Sequence, residues 1–379
     1  SMLGKLQVWR GDEPVEKFVS AKARALLCYL ALAEQPQSRH VLAGLLWGED
    51  SDENAKLSLR VALSNLRQQL PDALIADRQT VAFNRELDYW LDVEAFEAGL
   101  RHEGPDRPET LEQVVELYRG EFLADLHVDG APAFEEWLLV ERERLGMLAL
   151  GAMQQVAEER LSHGDPAHAV ETYQRMLALD PLQESIHCKL MLALAHQGRY
   201  TAAMAQYQRC RQILEEELGV EPMPETTELA QRIQVARSRP QRHNLPLVHT
   251  PFIGREFEVQ RLTRMLLDPE KQLITVVGPG GAGKTRLTLE VAATQVNAFL
   301  DGVVFVSLAP LDEPTGVAAA VALALDLPLS GQTDPQTQIL NYLRQKELLL
   351  VLDNFEHLLE AVHFVVMILE SAPSVKLLV

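Results

Sequence analysis

Apolar and polar positions divide this 379-residue chain into three stretches of different period. In the first, Lys5-Leu6-Gln7-Val8-Trp9-Arg10 alternates and runs into Gly11-Asp12, which predicts a strand entering a turn. Three helical patterns follow. Ser20 is placed to cap one through Ala25-Leu26-Leu27-Cys28-Tyr29-Leu30. Ser38 is placed to cap a second through Val41, Leu42, Leu45, Leu46 and Trp47, closed by Gly48. Asp52 is placed to cap a third that ends before Pro71. Short apolar pieces, Leu74-Ile75-Ala76, Val81-Ala82-Phe83 and Tyr89-Trp90-Leu91, then surround Asp77-Arg78-Gln79-Thr80 as a hairpin. In the second stretch Gly164, Ala169, Tyr173, Gln174 and Arg175 recur as Gly198, Ala203, Tyr207, Gln208 and Arg209, an offset of 34. That is the period of a paired-helix repeat: the glycine permits the tight turn, the alanine lets helices approach, and the tyrosine fills the gap to the next pair. Two units leave open ends, which helices over 133–146 and 226–235 are placed to cover. After a proline-rich, weakly periodic segment at 238–250, the third stretch holds two buried strands, Gln272–Val277 and Leu348–Asp353.

Strand, three helices and a hairpin form the order of a winged helix-turn-helix, an α+β fold. Its third helix carries the chemistry. Leu59, Leu63, Leu66 and Leu70 make one apolar stripe. Lys56, Arg60, Ser64 and Arg67 follow a similar helical spacing on another face, with Ser58 and Asn65 beside them. Arg and Lys pair with guanine edges or phosphates and Asn with adenine, so this face suits a major groove. It also reads as an ordinary solvated face. Net charge, −19 overall, argues against nucleic acid until it is divided. The segments 1–96, 97–240 and 241–379 carry −3, −11 and −5, and 54–70 holds Lys56, Arg60 and Arg67 with no acid. A local basic helix can meet DNA on an acidic protein.

The remaining composition narrows the class. With 47% apolar and 23% charged residues the chain can build packed cores. No apolar run is long enough to span a bilayer, so no membrane partner is expected. Cys28, Cys188 and Cys210, odd in number and far apart, exclude a disulfide framework or cysteine zinc site and fit a cytoplasmic setting. His163, His168, His187 and His196 show no ligand pattern.

The strand at 272–277 runs into Gly278-Pro279-Gly280-Gly281-Ala282-Gly283-Lys284-Thr285 and then a helix, the GxxxxGK[ST] pattern in its strand–loop–helix setting. The glycines let backbone N–H groups converge on phosphates at a helix N-terminus. Lys284 is expected to reach the β- and γ-phosphates, Thr285 to hold Mg²⁺, and Arg286 to flank them. Asp353, closing the second buried strand, suits a Mg²⁺ ligand. Asn354 follows it, where many such ATPases place an acid. An amide cannot act as a base, so slow hydrolysis is expected at most, with Glu356 the alternative residue to position water.

Several strings resemble known families. Lys22-Ala23-Arg24-Ala25-Leu26-Leu27-Cys28-Tyr29-Leu30-Ala31, Leu45-Leu46-Trp47 and Ala62-Leu63-Ser64-Asn65-Leu66-Arg67 resemble the OmpR-type winged helix of the SARP (antibiotic regulatory protein) activators. Leu117-Tyr118-Arg119-Gly120-Glu121-Phe122-Leu123, Phe134-Glu135-Glu136-Trp137 and Glu217-Leu218-Gly219-Val220-Glu221-Pro222 look like the bacterial transcriptional activation domain that follows it. Pro251-Phe252-Ile253-Gly254-Arg255-Glu256-Phe257-Glu258 resembles the hhGRxxE element of STAND ATPases, of which NB-ARC proteins are one branch.

These resemblances imply a multidomain chain. A winged-helix DNA-binding domain would occupy 1–97, an all-α TPR-like activation domain 98–237, a linker 238–250, and the N-terminal part of an α/β P-loop NTPase domain 251–379. They imply that Lys56, Ser58, Arg60, Ser64, Asn65 and Arg67 face the groove and that Arg78 touches DNA from the wing. Phe252, Ile253, Gly254 and Arg255 would lie near the adenine. Implied partners are double-stranded promoter DNA, RNA polymerase through its sigma factor and alpha subunit, and a second copy in a homodimer or higher oligomer. ATP or ADP with Mg²⁺ would be the regulatory ligand. The chain stops before the sensor arginine and lids of the STAND class, so it reads as a piece of a longer protein. Two other readings stay open: an NTPase signalling scaffold whose winged helix and repeats bind protein, and a plain ATP hydrolase, against which Asn354 argues.

Overall fold

The computed structural model describes residues 1–102, 104, 107–238, 243–247, 252–331 and 334–379. Much of the expected linker, at 239–242 and 248–250, lies outside the described residues. Contacts divide the chain into two compact units, Ser1–Val156 and Ala157–Val379.

The first unit runs β1 (Trp9–Arg10), β2 (Glu13–Pro14), α1 (Ala21–Leu32), β3 (Gln37–Ser38), α2 (Arg39–Trp47), α3 (Asp52–Gln69), β4 (Leu74–Ala76), β5 (Thr80–Phe83), α4 (Asp92–Leu100), α5 (Arg107–Leu117) and most of α6 (Pro132–Ser162). The expected strand at Lys5–Arg10 shrinks to two residues paired with β2. Ser20 caps α1 by accepting the Ala23 N–H, and Ser38 caps α2 by accepting that of Val41. The third helix departs from expectation: its cap position is Ser51, without a side-chain bond, and Asp52 is the first helical residue. There an acid favours the helix dipole instead. The wing is a three-stranded antiparallel sheet in the order β3-β5-β4. Its third strand is β3, from before α2, and not Tyr89–Leu91, which is irregular and ends as the cap of α4. Tyr89 instead stacks edge-on against Phe83, and its hydroxyl donates to Glu94.

Leu26, Leu30, Leu42, Leu46, Leu59, Leu66 and Phe96 fill the core of this unit. Asp92 is buried too, and its carboxylate accepts the N–H of Met2 (2.7 and 2.8 Å), the N–H of Leu3 (2.8 Å) and the Ser1 hydroxyl (2.7 Å). The start of the chain is thereby pinned to α4. Replacing Asp92 with alanine strands these donors. It is expected to lower the stability of the unit by roughly 2–3 kcal/mol, read from hydrogen exchange of the core amides of α1 and α3.

The second unit begins within α6 and continues α7 (Pro166–Leu179), α8 (Glu184–His196), α9 (Tyr200–Leu218), α10 (Pro224–Ser238) and α11 (Glu256–Leu267). There follow β6 (Leu273–Ile274), α12 (Lys284–Thr294), β7 (Val303–Ser307), α13 (Gly316–Ala324), α14 (Pro335–Leu343), β8 (Leu348–Asp353), α15 (Val362–Ser371) and β9 (Val375–Leu378). The repeat is visible in its turns. Gly164 N–H donates to Leu161 O and Asp165 N–H to Arg160 O; Gly198 N–H donates to Ala195 O and Arg199 N–H to Leu194 O. Both glycines have positive φ, 77° and 71°, which a Cβ would strain. Ala169 and Ala203 are fully buried, as the close approach of helices requires.

The sheet is parallel, in the order β6-β9-β8-β7. β8 is buried along Leu348–Leu352, as a strand covered on both faces must be. Asn244 covers the β7 edge: its amide donates to Phe305 O (2.8 Å) and accepts the Phe305 N–H (2.6 Å). Charged groups join the repeat helices to the sheet. His196, ending α8, meets Glu347 (2.5 Å); Arg232 of α10 lies 3.5 Å from Glu347 and 3.7 Å from Asp301; Lys346 donates to Asp301 at 2.8 Å. Glu347 is only 15% exposed, so the pairs are partly shielded from water. Glu347→Ala is expected to weaken this junction by about 1–2 kcal/mol. Faster exchange at the end of α8 and in α10, with 1–156 unchanged, is the signature.

Candidate functional site

On the first unit the site is a helix face. Leu59, Leu63 and Leu66 of α3 are buried, and Leu70 just beyond is half-buried. That rotation leaves Lys56, Arg60, Ser64 and Arg67 exposed along one side. Lys56 lies 3.8 Å from Asp52 on an open surface, a pair that water and salt screen. Two expected members leave the row. Asn65 is half-buried, and its amide is spent on the backbone: it accepts the Val19 N–H at 3.0 Å and reaches Lys17 O at 3.5 Å. It pins the segment before α1. Ser58, seven residues earlier and so on the same side of the helix, is also half-buried.

Arg78 is exposed at the tip of the β4–β5 turn. The turn is held by Asp77, whose carboxylate accepts the N–H of Gln79 (2.7 Å) and of Thr80 (2.6 Å). Those bonds, that to Thr80 first, hold the Asp77 carboxyl below the usual carboxylate range. Their contribution is present above the ordinary carboxylate pKa and fades as pH falls through the lowered value. Arg39, at the start of α2, donates to Asp77 O (3.0 Å) and so ties the wing to the helices.

On the second unit the site is a loop at the carboxyl ends of parallel strands, where such folds gather ligands. Gly281 and Gly283 have φ of 77° and 79°. A Cβ on Gly280 or Gly281 would meet no atom within 4 Å, so the glycines leave the concavity open. Gly283 caps α12, whose first residues are Lys284 and Thr285. Lys284 Nζ donates to Gly278 O (2.8 Å) and stands 3.7 Å from Glu356. Thr285 Oγ1 donates to Asp353 Oδ1 at 2.7 Å, joining the loop to the end of β8 across the intervening β9. Asn354 has φ 67°, a left-handed conformation that asparagine tolerates. A cavity of about 270 Å³ reaches from Gly278 and Lys284 to Asp353 and Glu356.

The upstream element comes to the same loop. Arg255, also left-handed at φ 64°, donates from Nη2 to Ala282 O at 2.7 Å. Phe252 is half-buried under Arg286, whose guanidinium lies 5.8 Å from its ring. Ile253 is 86% exposed, away from the apolar core beneath. The bond from Arg255 to the loop and the insertion of β9 between β6 and β8 left no trace in sequence periodicity.

Two family models match parts of the chain. Residues 91–234 match the bacterial transcriptional activator domain, and residues 268–379 match an AAA domain. The regulatory protein AfsR of Streptomyces griseus is 33% identical over 341 residues, 81% of this chain and 34% of that protein. AfsR of Streptomyces coelicolor is 30% identical over 343 residues, 81% of this chain and 33% of that protein. In sequence and in the order of these two domains the chain is similar to SARP-type regulators that carry an ATPase domain. It spans about a third of the length of these curated relatives. A solved structure, Mycobacterium tuberculosis EmbR in complex with a low-affinity phosphopeptide, is 22% identical with a TM-score of 0.47, over 71% of this chain and 70% of that one. Among the described residues no helix is long and apolar enough to cross a membrane.

An AAA domain implies a bound nucleotide, generally with Mg²⁺. The donor set fits: Thr285 and Asp353 offer hard oxygen ligands side by side, and the open glycine loop precedes a helix N-terminus. Lys284→Ala is expected to weaken Mg²⁺-nucleotide binding roughly 100-fold, the worth of one or two charge-assisted bonds. Titration with a fluorescent ATP analogue measures it, and undiminished affinity contradicts the assignment.

Proposed function

We propose that this chain is a transcriptional activator that binds promoter DNA repeats and is regulated by the nucleotide held in its ATPase module. Residues 1–97 form the DNA-binding domain, 98–237 the activation domain, 238–250 the linker, and 251–379 part of the nucleotide domain. The observation that carries the reading is the exposed row Lys56, Arg60, Ser64 and Arg67 on a helix whose rotation its buried leucines decide. From this row Arg and Ser side chains reach base edges and phosphates in a major groove, while Arg78 lies along the backbone of the duplex. The helical domain contacts RNA polymerase, at its sigma factor or alpha subunit, and supports a dimer or larger assembly.

In the nucleotide module the loop 278–285 cradles the phosphates, with Thr285 and Asp353 on Mg²⁺ and Phe252, Gly254 and Arg255 toward the base. ATP and ADP differ by one phosphate. The protein responds to the difference only through unequal affinities of its two forms. Asn354 leaves hydrolysis slow, with Glu356 the residue within reach of Lys284 that could position water.

Footprinting of the DNA upstream of the gene for this chain, with and without ATP and Mg²⁺, tests the reading. Binding should fall steeply with salt. The double change Arg60→Ala with Arg67→Ala should weaken it about 100-fold, each arginine supplying about 1–3 kcal/mol, with the helical circular dichroism unchanged. Protection equal to that of the unaltered chain would remove α3 from the interface.

A further inference from the structure

The exposed side of α3 is not uniformly polar. Leu57 is 56% exposed and Val61 is 50% exposed. They are four residues apart and therefore adjacent on the helix surface. At 3.6 residues per turn, Leu57 lies roughly 100° around the axis from Lys56, and Ser64 falls between them. One continuous surface thus passes from Lys56, Arg60 and Arg67, through Ser64, to Leu57 and Val61. The two acids of the helix, Asp52 and Glu53, are confined to its first turn.

A single exposed leucine needs no explanation. This pair is different in its setting. The other leucines of the helix are buried or half-buried, and the exposed pair borders three cationic side chains. A surface with that combination is complementary to a polyanion that also carries apolar marks. The major groove has one such mark, the C5-methyl group of thymine. Val61, β-branched, loses little rotamer freedom when it packs.

We propose that Leu57 and Val61 read thymine methyl groups, so that the sequence preference of α3 lies in A·T pairs beside the bases or phosphates met by Arg60 and Arg67. The proposal rests on α3 entering the major groove. It adds which base is selected, and by which side chains. Each methyl group taken out of water is worth about a 4-fold change in affinity, following the cost of one buried CH₂.

The test uses the full chain and a duplex that the chain itself selects from a randomised pool. The selected duplex is then remade with deoxyuridine for thymidine, which removes the methyl groups and leaves every hydrogen-bonding atom. Replacement of two contacted thymines is expected to weaken binding about 15-fold by the same bookkeeping. Leu57→Ala with Val61→Ala should bind the thymine duplex as weakly as the unaltered chain binds the uracil duplex, and should be indifferent to the exchange. Val61→Thr, which keeps one methyl group, should restore part of the sensitivity. Unchanged affinity on uracil substitution overturns the inference and leaves the groove reading standing; the apolar pair then faces a protein. A selected duplex without A·T pairs overturns it as well. Failure to enrich any duplex overturns the groove reading, and this inference with it.

Discussion

Burial of leucine decides the orientation of both candidate sites. A helix can rotate freely about its own axis until something apolar must be hidden, and in α3 that something is Leu59, Leu63 and Leu66. Once they are inside, Lys56, Arg60, Ser64 and Arg67 have one direction left, toward solvent. The same constraint acts on β8. Leu348 to Leu352 are all buried, so the strand is held on both faces, and the first polar residue after them, Asp353, sits at the rim of the sheet. Neither site is built by its polar residues. Each is the uncovered end or face of an element whose position apolar packing has already settled.

The two sites differ in how much else they need. The helix face is local, because its residues are spaced along one element. The candidate nucleotide site is assembled from three separate segments: the upstream residues around Arg255, the glycine loop, and the end of β8. Parallel strands make this possible, since their carboxyl ends open on one side of the sheet. The hydrogen bonds from Thr285 to Asp353 and from Arg255 to Ala282 O then cross-brace the loop. The residue before β8, Glu347, anchors His196 and Arg232 of the repeat helices. One buried strand therefore has the junction with those helices at its start and a candidate Mg²⁺ ligand at its end.

Sequence patterns carried some of this well and some not at all. The 34-residue repeat predicted turns whose hydrogen bonds match pair for pair. Ser20 and Ser38 were legible as caps because capping is a contact over three residues. Asp52 was misplaced by one position because Ser51 and Asp52 are both good cap residues and the sequence does not rank them. Tyr89-Trp90-Leu91 has the composition of a strand, yet the hairpin pairs with Gln37–Ser38, and strand pairing is a non-local choice. Asn65 has the side-chain chemistry of a groove residue; its commitment to Val19 and Lys17 comes from a segment nearly fifty residues away in sequence.

By itself, then, the sequence determined the local periods, the two helix caps, the glycine loop with its lysine and threonine, and the division of charge that leaves α3 basic. Each of these is a property of residues within a few turns of one another. Only the tertiary structure decided which side of α3 stays open, which strand completes the wing, that β9 separates β6 from β8, and that Asp301 and Glu347 pair with distant cations. Those outcomes depend on which apolar surfaces find each other. That choice is made by the whole chain at once, because the gain from burying one face is realised only when its partner, far along the sequence, is present.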